Sequence, residues 1–207
     1  MDERTRIALF PLESVLLPGE TMPLHIFEER YKLLIGRRRV DGEEFGIVLA
    51  EDGRVHECGC TAVLTAILEE FEDGRLDIVV EGRRRFRIVR LHEPEDSDRE
   101  YIEADVEFFN DEEGGTQQAR DATVAAFMKL LRLMGADRPQ VPGGPAPLSF
   151  RLAAAVDFGT QVKQALLEST SETERLTDLV AVIRALLPRI EAQRKRAEAI
   201  RGNGKGI

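Results

Sequence analysis

The chain has 207 residues, 43% hydrophobic and 32% charged, with a net charge of −9 and a pI of about 5.0. This balance describes a folded globular chain rather than a disordered one. It argues against a general nucleic-acid binder, which needs positive surface to displace counterions. No apolar run reaches the length of a membrane span. The opening Met-Asp-Glu-Arg-Thr-Arg has no apolar stretch of the signal-peptide kind. The two cysteines, Cys58 and Cys60, stand too close for an easy bridge. A reduced, cytoplasmic protein with no membrane contact is therefore expected.

Charge divides the chain. Residues 1–110 carry 15 Lys+Arg against 26 Asp+Glu, net −11, while residues 111–207 carry 14 against 12, net +2. The first part reads mainly as strands, at 6–12, 22–27, 45–50, 59–71, 75–81, around 86–88 and at 101–109, with one helix over 28–38. Pro18-Gly19 reads as a turn, and Pro23 stiffens the segment that follows. Asp52-Gly53 and Asp73-Gly74 are hairpin signals, and Gly82 is read as a further turn. The acidic stretch 93–100 breaks the pattern. Short turns between five or more strands point to a compact barrel or a pair of packed sheets.

Beyond a polar linker at 110–116 the pattern is helical. A helix over 117–135 carries Val124, Phe127, Leu131 and Met134 along one stripe. After the Pro/Gly-rich loop 136–148, Ser149 is expected to cap a helix over 150–158, and Thr160 to cap the next, through 168. Ser171-x-x-Glu174 is a capping box. It opens a long helix with Leu176, Leu179, Val180, Ile183, Leu186, Leu187 and Ile190 on one face, and Pro188 should kink or interrupt it. The expected domains are thus a β-rich unit at 1–110, a helical bundle at 117–201 and a flexible tail at 202–207.

Catalytic signatures are missing. There is no G-x-x-x-x-G-K-[ST], no G-x-S-x-G and no HExxH. His56, Cys58 and Cys60 alternate as they would on one face of a strand, a weak metal candidate that lacks a fourth ligand. No metal and no cofactor are expected. His25, between Leu24 and Ile26, reads as a satisfied structural histidine or as a binding-surface residue. The triplets Arg37-Arg38-Arg39 and Arg83-Arg84-Arg85 lie among acidic runs and read as solvated mixed-charge faces.

Leu-Phe-Pro-Leu at 9–12, followed by Leu-Pro-Gly-Glu-Thr-Met-Pro-Leu-His-Ile-Phe-Glu-Glu-Arg-Tyr at 17–31, resembles the opening of the N-terminal substrate-binding domain of Lon proteases, found also in cereblon-like and short stand-alone bacterial proteins. The stretch Ile78-Val79-Val80-Glu81-Gly82-x-x-Arg85-Phe86-Arg87-Ile88 is similar to the same family. The resemblance implies an α+β chain: a PUA-like, mainly antiparallel β-barrel or packed-sheet domain followed by a C-terminal α-helical bundle. It also implies recognition of unfolded or degron-bearing polypeptide by a non-enzyme lacking ATPase and Ser–Lys protease modules, acting as an adaptor or holdase beside a protease or chaperone. Met22, Leu24, His25, Phe27 and Tyr31 are the residues expected to contact peptide, with Pro18, Gly19 and Pro23 shaping the corner. An RNA-binding PUA-like protein is the alternative, and after it a small hydrolase whose site joins His25 or His56 to Cys58, Cys60 or Ser14. The oligomeric state is left open.

Overall fold

The computed structural model describes residues 5–92, 94, 101–109, 111 and 114–203, with side chains through Arg196. Most of the acidic stretch 93–100, part of the linker at 110–116 and the end of the tail at 204–207 lie outside the described residues. In chain order the elements are β1 (Thr5–Leu12), β2 (Thr21–Ile26), α1 (Glu29–Asp41), β3 (Phe45–Glu51), β4 (Arg54–Glu70), β5 (Leu76–His92), β6 (Glu103–Phe108), α2 (Gln117–Leu133), α3 (Leu148–Ala154), α4 (Thr160–Glu168) and α5 (Glu172–Asn203). The fold is α+β, and the chain forms two compact units. Met1–Asp111 and Gly144–Thr170 make the first, Glu112–Gly143 and Ser171–Ile207 the second. The helical part is therefore not one block over 117–201: α3 and α4 belong with the strands, α2 and α5 with each other.

In the first unit the strand order is β2-β5-β4-β3-β1-β6, and β5 also pairs with β6. All pairings are antiparallel except β1 with β3. The length of β5 makes the double pairing work. Its first part lies against β2, from Leu76↔Ile26 to Glu81↔Thr21, and its second against β6, from Phe86↔Phe108 to His92↔Glu103. The strands expected at 75–81 and 86–88 are thus one strand, and Gly82 is not a turn. There the passing segment 19–20 bonds to it: Gly19 N–H donates to Gly82 O (2.8 Å) and Gly82 N–H to Glu20 O (2.9 Å). The hairpin at Asp52-Gly53 forms as its residues require. Both take positive φ, 51° and 74°, the left-handed pair that suits the twist of the flanking strands.

Inward-facing residues fill the space between strands. Ile7, Leu9, Val48, Phe86, Ala104 and Val106 form one buried cluster. The Phe86 ring lies so close over Gly46 and Gly59 that a Cβ at either would meet it at 2.7 and 2.6 Å. A second aromatic group fastens α1, where Tyr31 meets Phe10 edge-on at 4.0 Å and Phe10 meets Phe45 at 6.4 Å.

Asp105 in β6 ties three strands. It accepts from Arg6 Nε of β1 (3.0 Å) and His92 Nε2 of β5 (2.8 Å). The His92 hydrogen bond, then Arg6, holds its carboxyl below the usual range. A carboxylate held low stabilises the fold above its ordinary pKa of about 4, and loses that contribution as pH falls through the depressed value. Asp105→Asn is expected to melt lower than the parent near neutral pH. The gap should narrow in thermal melts taken at pH values falling below the ordinary carboxylate range, as the folded-state carboxyl takes up its proton.

In the second unit, Thr116 caps α2 by accepting from Ala119 N–H (3.3 Å). The buried face of α2 is Thr123, Ala126, Phe127 and Leu130. It is rotated from the expected stripe, leaving Val124 and Leu131 half-buried and Met134 exposed. Thr123 sets this phase, since its Oγ1 lies 2.7 Å from Ala119 O on its own helix and 2.9 Å from Leu176 O on α5. On α5 the buried residues Leu176, Leu179, Val180, Ile183 and Leu187 follow the expected period. The helix continues through Pro188 to Asn203. A proline removes one intrahelical donor, and here a single missing bond does not end the helix. Ser149 is not a cap: it is buried inside α3, which follows Pro147 and stops at Ala154. Thr160 is the first residue of α4, and Gly159 occupies the cap position.

Candidate functional site

Strand β2 stands at the end of the strand order and pairs with β5 alone. Pro23 suits such an edge, because a proline inside a sheet would leave a ladder acceptor without its donor. The preceding turn at 18–19 places Gly19 at φ 76°. Alternation along β2 sorts the expected peptide contacts onto two faces. Met22 and Leu24 are half-buried on the side of Ile26, and Met22 borders a small cavity of about 280 Å³ with Ser14, Asp157, Thr160 and Lys163. Thr21, Pro23 and His25 point the other way and are exposed. Phe27, one step past the strand, is 59% exposed. Tyr31 is 6% exposed and packs on Phe10, with the Arg30 guanidinium 4.7 Å from its ring centre. Burial raises its phenol pKa.

His25 is neither core nor alone. Its Nδ1 lies 2.6 Å from Asp77 Oδ1, its register partner on β5. Its ring stacks on Phe27 with centroids 6.1 Å apart, and Phe71 meets it edge-on at 6.0 Å. Phe71 closes the hairpin between β4 and β5, donating its N–H to Arg75 O (2.9 Å), and the Arg75 guanidinium covers its ring at 5.1 Å. Leu68, on the same end of β4, is 65% exposed. Phe71 and Asp77 are the members that sequence reasoning missed. Phe71 lies 46 residues from His25 and Asp77 lies 52. An aromatic just before the Glu-Asp-Gly turn was the one local hint of Phe71.

The other candidates do not assemble. Cys58 and Cys60 are free and buried, and the Cys60 thiol contacts its neighbour's carbonyl, Thr61 O, at 3.4 Å. Burial raises both thiol pKa values, against the pull of Arg87 on Cys58 and of Arg83 and Arg85 on Cys60. Neither is poised as a thiolate. His56 sits 3.5 Å from Glu51 and 3.9 Å from Glu168. Among the described residues, no three His, Cys, Asp or Glu side chains are grouped to hold a metal ion. No hydrogen bond among them joins His25 or His56 to Cys58, Cys60 or Ser14, so the hydrolase constellation is not formed. The arginine triplets are engaged: Arg37 donates to Tyr101 Oη, Arg38 pairs with Glu43, Arg39 with Glu70, Arg83 with Glu81 and Arg84 with Glu44. Arg85 is buried.

A mixed, mainly antiparallel sheet whose strand β2 pairs on one side only, with the exposed Phe27 ring and the half-buried Phe71 ring beside it, makes an α+β domain. The chain belongs to the family described as the ATP-dependent protease La (LON) substrate-binding domain, whose model matches residues 6–185. It is 25% identical over 215 residues to Lon protease 2 of Myxococcus xanthus and 22% identical over 209 residues to Lon protease 1 of Hydrogenovibrio crunogenus. These matches cover 95% and 93% of the chain but 25% of each relative, so the chain spans about a quarter of their length. Its fold is similar to the crystal structure of a Lon N-terminal domain protein from Xanthomonas campestris (28% identity, TM-score 0.68, covering 86% of this chain and 98% of that one). It is similar also to the N-terminal domain of the Mycobacterium avium complex Lon protease (18% identity, TM-score 0.67, 87% and 98%). The family is that of the substrate-binding part of the protease, not of its catalytic part. Among the described residues no helix is long and apolar enough to cross a membrane.

Proposed function

We propose that this chain is a non-catalytic module that binds extended polypeptide, unfolded or degron-bearing, and serves as an adaptor or holdase. The observation that carries the reading is the group formed by exposed His25 and Phe27 and half-buried Phe71 beside the unpaired edge of β2. An added strand pairs with the backbone donors and acceptors of such an edge whatever its sequence, apart from the donor that Pro23 lacks, and rings next to it take up apolar side chains. Tyr31 and Phe10 hold the segment after β2 from below, while Met22 and Leu24 anchor the strand itself. The return of the ladder through β5 and β6 supports a barrel of the PUA-like kind as the rigid frame. The free buried thiols support a reducing, cytoplasmic setting.

Phe27→Ala is the direct test. Truncating an exposed aromatic anchor is expected to weaken binding to a denatured test protein by about tenfold, more than most interface residues contribute. Thermal melting should be unchanged, because the ring buries little in the free protein. Titration by fluorescence anisotropy checks the first expectation and circular dichroism the second. Equal binding by variant and parent would refute the reading.

A further inference from the structure

The outward face around β2 has a pattern of its own. The register aligns residues in rows across β2, β5 and β4. Thr21, Glu81 and Val63 form one row, Pro23, Val79 and Ala66 the next, and His25, Asp77 and Glu69 the third. Phe27 and Phe71 follow. Along the strand direction the rows read acidic, apolar, acidic, aromatic. Rows on one face repeat every two residues, about 7 Å apart.

The charge on this face is one-sided. Glu81 pairs with Arg83, Asp73 with Arg75 and Glu28 with Arg30. Glu69 and Glu72 are exposed and, among the described residues, have no ion pair. Asp77 has only His25 against it. The surplus agrees with the net −11 of residues 1–110.

Resting on the polypeptide-binding reading, we infer that the occupant of the β2 edge is an extended segment in which every second residue alternates between Lys or Arg and an apolar or aromatic side chain. Its main chain adds to β2. Its apolar side chains meet Pro23 and Val79 in one row and Phe27 and Phe71 in the other. Its cationic side chains fall at the intervening rows, where they reach over β2 toward Asp77 and toward Glu81, which also holds Arg83, while Glu69 on β4 adds to the negative field. A segment with carboxylates at those positions faces Asp77 and Glu81 one strand beyond β2, and like charges at that separation repel each other.

The test uses the full chain and fluorescein-labelled peptides in anisotropy titrations. One peptide repeats Lys-Ser-Phe-Ser, a second replaces each Lys by Glu, and a third has the composition of the first with Lys and Phe on opposite faces. The Lys peptide is expected to bind about tenfold tighter than the other two, from a few exposed pairs. Its advantage over the Glu peptide should shrink as salt rises from about 0.05 to 0.5 M, and narrow in a variant carrying Glu69→Gln and Glu72→Gln. Equal binding of the Lys and Glu peptides, or of the same-face and opposite-face peptides, overturns the inference and leaves the polypeptide-binding reading standing. Failure of all three peptides and of a denatured test protein to bind overturns both.

Discussion

Gly82→Ala is expected to destabilise the first unit by about 3 kcal/mol or more, the range in which a core side chain is forced against fixed atoms. A Cβ at this position would overlap the carbonyl oxygen of Leu17, stand 3.0 Å from its carbonyl carbon and 3.1 Å from Leu16 Cγ. The obstacle is main chain, not the tip of a flexible side chain, so it cannot swing aside. The segment cannot retreat either. Leu16 and Leu17 are fully buried, and residues 19 and 20 are bonded to Gly82 itself. Moving Leu17 away would break both bonds and open the base of the corner that carries β2. Urea denaturation should show a lower midpoint at an unchanged slope. A midpoint within error of the parent would mean that the 16–20 segment yields more easily than its burial implies. Binding of peptide should fall together with stability, unlike in Phe27→Ala.

Arg85→Met is expected to destabilise the same unit by about 3 kcal/mol. Arg85 is 4% exposed. Its Nη1 donates to Leu167 O and Ser169 O, both at 2.6 Å, where α4 ends, and its Nη2 pairs with Asp111. The guanidinium also lies against the rings of Phe109 and Phe150, at 4.8 and 5.3 Å. The terminal carbonyls of a helix have no partner within it, and one cation here satisfies two of them. Methionine fills similar space but donates nothing: the buried Leu167 O loses its donor at about 1–3 kcal/mol, and the part-buried Ser169 O loses this one at less. Asp111 is partly exposed and recovers water, so it adds little. Arg85→Lys should fall between, since an ammonium keeps the charge but lacks the planar fork. Denaturation midpoints of the three proteins check the order; Arg85→Met as stable as the parent would refute it.

At both sites the deciding contacts come from residues distant in the chain. Glycine usually punctuates strands, so the sequence around Gly82 reads as a turn. Here the glycine marks the close approach of another backbone, from more than sixty residues earlier in the chain, and no local pattern encodes that. Arg85 sat in a triplet that looked like solvated surface. Burial came from α4, some eighty residues later, whose carbonyls needed a donor. The phase of α2 has a related cause: a polar residue, Thr123, faces α5, whereas the apolar pattern alone favours Val124 and Leu131. At the β2 corner, the nearby prolines mark His25 and Phe27 in the sequence, yet their partners Phe71 and Asp77 arrive only through strand register.

Features that depend on a few adjacent residues were legible in the chain itself. The proline-bounded β2, the Asp52-Gly53 hairpin, the apolar stripe of α5 and the acid excess of residues 1–110 all follow from local sterics, periodicity or composition. Tertiary structure decided which face of β2 each residue shows, that β5 runs unbroken past Gly82, and that α3 and α4 join the strands. Those outcomes turn on contacts between residues far apart in sequence, whose energies are set by register and close packing, and neither quantity exists until the chain has folded.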